Sequence, residues 1–269
     1  MSDTFEKDYA KLENKFRVQV EEDRKLLRCN DIVCLSQSMM PIHQVDYVFI
    51  GMEPSLRRWA KTQQEAEEKI ERGFKDFAFS IEDFILHHCI REYLCRNQDS
   101  TYYITNLSKG AMRVAKANEN RVQRWERWLR LLREELELVE KDTTKLIAIG
   151  RNVKDFLESN GFIDIHMILH YSQQAAGYRD KWIEWDQKAF EKFKRQVFNK
   201  DIIATAKSVT QQAKMDWTLT SVSLKRLESQ DLSDSQKMLM FGYKCYFTQQ
   251  LLGLVNESLH KKGAITGNQ

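Results

Sequence analysis

The segment VDYVFIGMEPSLRRWA, residues 45–60, sets a lone carboxylate at the end of an apolar run. Gly51 permits a tight turn and close backbone approach, and Pro54 fixes the chain just beyond. A carboxylate held there, Glu53, can orient a water or stabilise a developing cation; it can equally be a helix N-cap or first-turn acid. Asn106 ends a second such run, TYYIT. Its amide offers one acceptor and two donors, enough to read a base edge or to close a turn. Lys109, Arg113 and Lys116 follow it and can meet phosphates or stand in solvent. His170 opens the polar stretch HYSQQAAGYRD, residues 170–180, after another apolar run. It can donate a hydrogen bond to a departing oxygen, or bond to nearby backbone.

Other residue types allow less. FAFSIEDF carries Phe77, Phe79 and Phe84, an aromatic group that can stack on a base, with core packing expected for at least two of the three. Arg121, Arg124, Arg127, Arg130 and Arg133 interleave with Trp125 and Trp128, a pattern found in nucleic-acid surfaces. The preferred reading is an amphipathic helix with a buried Trp and Leu stripe and a wet arginine face. His87 and His88 are adjacent and lack the i, i+4 spacing of a helical metal pair. The cysteines, Cys29, Cys34, Cys89, Cys95 and Cys245, are odd in number and form no C-x-x-C. They read as reduced thiols, with no metal or iron–sulfur site and no cofactor expected.

The elements that must position these residues alternate. Strands are predicted at 45–50, 101–105, 145–150 and 162–169. Helices are predicted at 3–28, 62–72, 81–95, 121–141, 151–159 and 183–197. Strands separated by helices imply a mostly parallel sheet covered on both faces. The expected fold class is α/β, a three-layer α/β/α arrangement around a central, mostly parallel four-stranded sheet, with an N-terminal helix. In such sheets ligands bind beyond the carboxyl ends of the strands, where Glu53, Asn106 and His170 fall. After about residue 200 the rhythm stops. The domain reading is therefore 1–200 for the α/β unit and 201–269 for a C-terminal helical extension packed on it.

Composition bounds the rest. A net charge of +3 across 269 residues makes any nucleic-acid surface a local patch rather than a general property. No run of about 18 apolar residues occurs, so no membrane partner is expected. The N-terminal stretch is charged and lacks a signal-peptide core. The expectation is a cytoplasmic monomer.

In order and content, the loops resemble the uracil-DNA glycosylase superfamily. GMEP (51–54) resembles that family's Gly-x-Asp-Pro or Gly-x-Asn-Pro motif at a strand end. AFS (78–80) resembles its Phe-Ser, and YYITN (102–106) its strand ending in Asn. HYSQQAAGYR (170–179) resembles its late histidine loop. The match spans roughly residues 40–200 by motif order. The resemblance implies base flipping and hydrolysis of an N-glycosidic bond through an oxocarbenium-like sugar. It implies Glu53 as the group that activates water or offsets the cation, and His170 as the stabiliser of the leaving base. It implies Phe79 stacked on the base and Asn106 reading its edge, with Gly51 and Ser55 lining the base pocket. Tyr171, Gln173 or Gln174 would fill the hole left by the base, in a loop that also includes Ser172. Arg57, Arg58, Lys109 and Arg179 would meet phosphates.

The departures point further. Glu53 replaces the family's Asp or Asn and moves the carboxylate by about one carbon–carbon bond, ~1.5 Å. Ser55 stands where the strict uracil enzymes carry a tyrosine that blocks a C5 substituent. The expected partner is therefore DNA bearing a C5-modified pyrimidine, such as hydroxymethylated or glucosylated cytosine of phage DNA, and the role a phage-defence glycosylase. Two alternatives stay open within the fold: repair of uracil or mismatched thymine, and a catalytically silent member that binds DNA or a protein. A nucleoside hydrolase is a third.

Overall fold

A computed structural model describes residues 2–26, 33–41, 43–56, 59–96, 100–178 and 186–251. In chain order the helices are α1 (Ser2–Leu26), α2 (Gln63–Glu71), α3 (Ile81–Cys89), α4 (Val114–Asn118), α5 (Arg121–Val139), α6 (Arg151–Ser159), α7 (Gln187–Lys194), α8 (Asn199–Gln212), α9 (Val222–Arg226) and α10 (Asp234–Cys245). The strands are β1 (Cys34–Leu35), β2 (Val45–Gly51), β3 (Tyr102–Asn106), β4 (Gly110–Ala111), β5 (Glu140–Ile149) and β6 (His166–Ile168).

The chain is α/β, and its main sheet runs β3-β2-β5-β6 with every pairing parallel. The β2 sequence VDYVFIG is rich in β-branched and aromatic residues, and its interior is buried on both faces, as a covered parallel strand requires. Tyr47 and Phe49 face one side with Ile104, Ile147, Ile149 and Ile168. Val48 and Ile50 face the other with Tyr103 and Ala148. A register shift between Val45 and Tyr47 returns Val45 to the side of Val48.

α5 and α6 cover the second face through Trp125, Leu132, Leu136, Val153 and Phe156. α1 packs on the outside of α5, where Phe16 meets Trp128. The first face is covered by α3, α8 and α10. Phe247, just past α10, meets Phe49 of the central strand edge-on at 6.1 Å, and the Tyr243 hydroxyl donates to the carbonyl of Leu169 at 2.8 Å. The helices after residue 200 thus form a covering layer of the same sheet, and the boundary drawn at 200 falls inside α8. The strand predicted at 162–169 shortens to His166–Ile168, because Gly161 and Asp164 both take positive φ before it. The antiparallel pair β1–β4 was not expected. No helix of the described residues is long and apolar enough to cross a membrane.

A buried polar network ties α1, α5 and β3 together. Glu135 of α5 is fully buried. It accepts from the Tyr103 hydroxyl at 2.8 Å, the Thr105 hydroxyl at 3.0 Å and Lys109 Nζ at 2.7 Å. Tyr9 of α1 joins through its hydroxyl, 3.0 Å from that of Tyr103. Lys109 also donates to Thr105 Oγ1 at 2.8 Å and to the Asn106 carbonyl at 2.5 Å. An ammonium has three protons, and all are engaged inside the protein. Lys109 is therefore not the phosphate contact the sequence suggested. Its partner lies 26 residues further along the chain, out of view of any local pattern. Burial lowers the Lys109 pKa, and the charge of Glu135 opposes that shift.

Removing one member of a buried pair strands the other's charge, at a cost of about 3–5 kcal/mol. Lys109→Met should lose that much stability in guanidinium unfolding. Lys109→Met combined with Glu135→Leu should recover most of it.

Candidate functional site

The sheet order sets the location. From β2 the chain steps outward to β3, then crosses back over β2 to β5 and continues to β6. The direction of winding reverses between β2 and β5, the switch point where open α/β sheets leave a crevice at their carboxyl ends. A cleft of about 550 Å³ lies at that edge, and loops after β2, β3, β5 and β6 all reach it. It brings together Gly51, Glu53, Ser55, Asn106, His170, Tyr171 and Ser172.

Gly51 and Asn106 are register partners at the last paired position of β2 and β3. The amide N–H groups of Leu107 and Ser108 then donate to the carbonyls of Gly51 and Met52 at 2.8 and 3.3 Å, so the two strands leave the sheet together. A Cβ on residue 51 would lie 2.4 Å from Asn106 Oδ1 and 3.1 Å from Phe77 Cζ. Glycine is needed here for the approach of its neighbours. Asn106 is buried and donates from Nδ2 to Asp76 Oδ2 at 2.5 Å.

Glu53 sits in the loop between β2 and the bridge that pairs Ser55 with Met112. No helix starts there, so the helix-dipole reading of this acid falls away. Arg121 reaches Oε1 with Nε at 3.0 Å and a terminal nitrogen at 2.8 Å. Trp125 donates its indole N–H to Oε2 at 2.9 Å. The i, i+4 spacing of Arg121 and Trp125 places both on one face of α5. The Glu53 side chain is only 4% exposed.

The expected wet arginine face holds only in part: Arg130 and Arg133 are exposed, while other arginines of the helix turn inward. Arg124 is buried and donates to the carbonyls of Lys116, Ala117 and Glu119, fastening α4 to α5. Arg127 and the Trp128 indole both donate to buried Asp23 of α1. Arg133 donates to the Asn160 carbonyl. The Trp and Leu stripe is in the core, as expected.

Phe79 is displaced from its expected role. It packs against Phe74, 5.9 Å between ring centroids, and does not line the cleft; the ring that does is Phe77. Phe77 holds φ at +57°, a conformation costly for a bulky side chain. Its carbonyl accepts from His87 Nε2 at 3.1 Å. A carbonyl only accepts, so Nε2 carries the hydrogen, and His87 Nδ1 accepts from the Tyr102 hydroxyl at 2.8 Å. Burial holds the His87 pKa down at about 3, so the ring stays neutral.

The Phe77 ring meets Tyr171 edge-on at 6.4 Å, and Tyr171 stacks on His170 at 4.8 Å. Tyr171 is 5% exposed and forms cleft wall, which removes it as a residue to fill a gap in a duplex. His170 Nδ1 accepts from the Ser172 amide at 3.0 Å. A neutral ring in that arrangement carries its hydrogen on Nε2. Gly150, at φ +98°, turns the chain after β5, and a Cβ there would lie 3.5 Å from His170 Cβ.

Gln173 and Gln174 open the 3-10 turn Gln173–Tyr178. Arg57, Arg58, Arg179 and Cys29 lie outside the described residues. Arg113 reaches the Lys61 carbonyl at 3.4 Å, and Lys116 pairs with Glu119 at 3.1 Å. Cleft residues that sequence reasoning missed are Asp76, Arg121 and Asn152. The Arg121–Trp125 spacing was visible but gave no hint of its partner; Asp76 carried no signal. Burial pushes the thiols of Cys34 and Cys95 up to about 12. Among the described residues no three metal-capable side chains cluster. Comparison of the chain with protein-family models, with curated proteins and with solved structures found no significant match.

Two outcomes follow from this geometry. Gly51→Ala forces Asn106 or Phe77 aside and should cost about 1–3 kcal/mol in denaturant unfolding. His87 is neutral when folded down to about pH 3, whereas unfolded it takes up a proton below about 6.5. Stability should therefore fall as pH drops from about 6.5 towards 3, by up to about 1.4 kcal/mol per unit from this group. His87→Gln should flatten the curve by that slope, read by unfolding at stepped pH.

Proposed function

We propose that the cleft receives a nucleobase flipped out of DNA and that the protein hydrolyses its N-glycosidic bond. The reading rests most on the union, in one cleft at the switch point, of Gly51, Glu53, Asn106 and His170, in the order in which the resemblance to uracil-DNA glycosylases arranges them. The four-stranded parallel sheet with helices on both faces is compatible with that family's fold.

On this reading the base slides beside the Phe77 ring, with its edge toward Asn106. The C1′–N bond lengthens and its electron pair moves to the base. His170, with hydrogen on Nε2, stabilises that charge. Water adds its oxygen to C1′, its proton is released, and an abasic sugar and a free base remain. Glu53 accepts from Arg121 and Trp125, and a carboxylate has about four acceptor positions. It acts as a fixed carboxylate that offsets the sugar cation and orders the attacking water.

Ser55 and the cleft volume support a substituted base. A cavity of about 150 Å³ accommodates a benzene ring, and this cleft holds about 550 Å³. A pyrimidine with a C5 substituent, as in hydroxymethylated or glucosylated phage cytosine, fits that space and gives the protein a phage-defence role. Uracil or mismatched thymine is the alternative within the same chemistry. One observation favours a silent binding protein instead: Glu53 is nearly sequestered and held by α5, as a structural acid would be.

Abasic-site formation on duplex and single-stranded DNA separates these readings. The panel carries uracil, mismatched thymine, hydroxymethylcytosine and its glucosylated form. Cleavage of a C5-modified base is expected, falling about 10²–10³-fold in Glu53→Gln. Cleavage of uracil alone would sink the defence role. Cleavage of nothing, with DNA still bound, would establish the binding protein.

A further inference from the structure

Tyr102 opens β3, the strand that ends at Asn106, and its hydroxyl is the middle of a hydrogen-bond chain that runs to the cleft wall. Arg91, just past α3, donates from Nε to that oxygen at 2.9 Å. The hydroxyl lies 2.8 Å from His87 Nδ1, and His87 Nε2 lies 3.1 Å from the Phe77 carbonyl. At its outer end Arg91 also donates to Ser208 Oγ at 3.0 Å and Gln212 Oε1 at 2.8 Å, both on α8. The chain thus joins the covering layer after residue 200 to the residue whose ring lines the cleft.

Its two ends leave it one polarity. A guanidinium only donates and a carbonyl only accepts. The single Tyr102 proton therefore goes to His87 Nδ1, and Nε2 carries the hydrogen that the Phe77 carbonyl takes. Without the Tyr102 hydroxyl, the imidazole is free to hold its hydrogen on Nδ1, which sets a lone pair on Nε2 against the carbonyl. Burial and the charge of Arg91 keep the ring neutral, so no second proton restores the bond near neutral pH.

Phe77 depends on that bond. Its φ of +57° is a backbone state that persists in a bulky residue only where the surroundings over-determine it. Behind it lies a small cavity of about 30 Å³ lined in part by Phe77, His87, Tyr102 and Val209, so packing on that side is incomplete. In front, Phe77 Cζ rests against the bare face of Gly51, 3.1 Å from where a Cβ would stand.

We propose that Arg91, Tyr102 and His87, none of which lines the cleft, are positioning residues that hold Phe77 in its left-handed turn and so keep its ring where a flipped base stacks. This assignment rests on the glycosylase reading for the base and on the hydrogen-bond chain for the ring.

The test is fluorescence anisotropy with the intact protein. Duplexes carry each base of the panel above on an uncleavable 2′-fluoro sugar, and a matched duplex carries an abasic tetrahydrofuran site. The ratio of base to abasic affinity separates the base contact from the grip on the backbone. Phe77→Ala should lower that ratio about 5–150-fold, the worth of one base–aromatic stack. His87→Leu, which cannot donate, and Tyr102→Phe should each lower it at least about fivefold. His87→Gln keeps an N–H within reach of the carbonyl and should recover most of the loss. In a Phe77→Ala background, His87→Leu should lower the ratio no further.

An unchanged ratio in His87→Leu or Tyr102→Phe overturns the assignment. So does a loss that persists in full in the Phe77→Ala background. Excision by the wild type leaves the glycosylase reading standing in both cases. If the wild type excises no base, that reading fails, and NMR of the Gly51 α-protons, which lie under the influence of the Phe77 ring, decides the positioning role alone. Resonances that move in both variants and return in His87→Gln uphold it; unmoved resonances end it.

Discussion

Gly51 and Asn106 end their strands side by side, with no room for a Cβ between them. That approach is possible because β2 and β3 are parallel and in register to their last residue, so both strands deliver their next residues to the same edge. Everything else in the cleft is arranged around this corner. The Phe77 ring lies against Gly51, Asp76 holds the Asn106 amide, and the loop from Gly51 carries Glu53 across to α5. A side chain at residue 51 would push Asn106 off Asp76 and Phe77 off its wall together.

The second organising element is α5, which serves the core and the cleft with one sequence. Its Trp125 is buried against Phe156 at 5.3 Å while its indole N–H holds Glu53. Its Arg121, Arg124 and Arg127 turn to carboxylates and carbonyls, while Arg130 stays in solvent. Its Glu135 gathers the hydroxyls of β3 and the ammonium of Lys109. A helix this rich in charge looks like a surface element because pattern counts charges and not their partners. Here the partners include the acids Glu53 and Asp23, 68 and 104 residues from Arg121 and Arg127, and burial makes such pairs costly to break.

The sheet and the strand-end residues were legible because they rest on local causes. A β-branched run that reaches glycine or asparagine marks a strand and its end, and parallel winding puts all such ends on one edge. Phe77 and Phe79 were not separable in sequence. Which ring faces the cleft depends on a left-handed turn at Phe77, held by His87 ten residues on, and φ at a phenylalanine leaves no trace in composition. Lys109 failed as a phosphate contact for the same kind of reason, since Glu135 lies on another element. The tail was read as an appendage because its rhythm changes at about residue 200, yet Tyr243 and Phe247 reach the central sheet.

The polar groups at the cleft are each held before any ligand arrives. Ser172 fixes the His170 ring, Asp76 the Asn106 amide, Arg121 and Trp125 the Glu53 carboxylate, and His87 the Phe77 carbonyl. Groups fixed in advance need no reorganisation as charge develops, and this is the condition under which dipoles and charges act most strongly on a transition state. The carboxylates at the wall also divide the work of binding. Among the described residues that line the cleft are the carboxylates Glu53, Asp76 and Glu82 and one arginine, Arg121, a balance that on the proposed function favours a cationic sugar and opposes a phosphate. On the proposed function, the DNA backbone must then be gripped on the rim, outside the cleft, and the energy of that grip is what draws a neutral base into an acidic pocket.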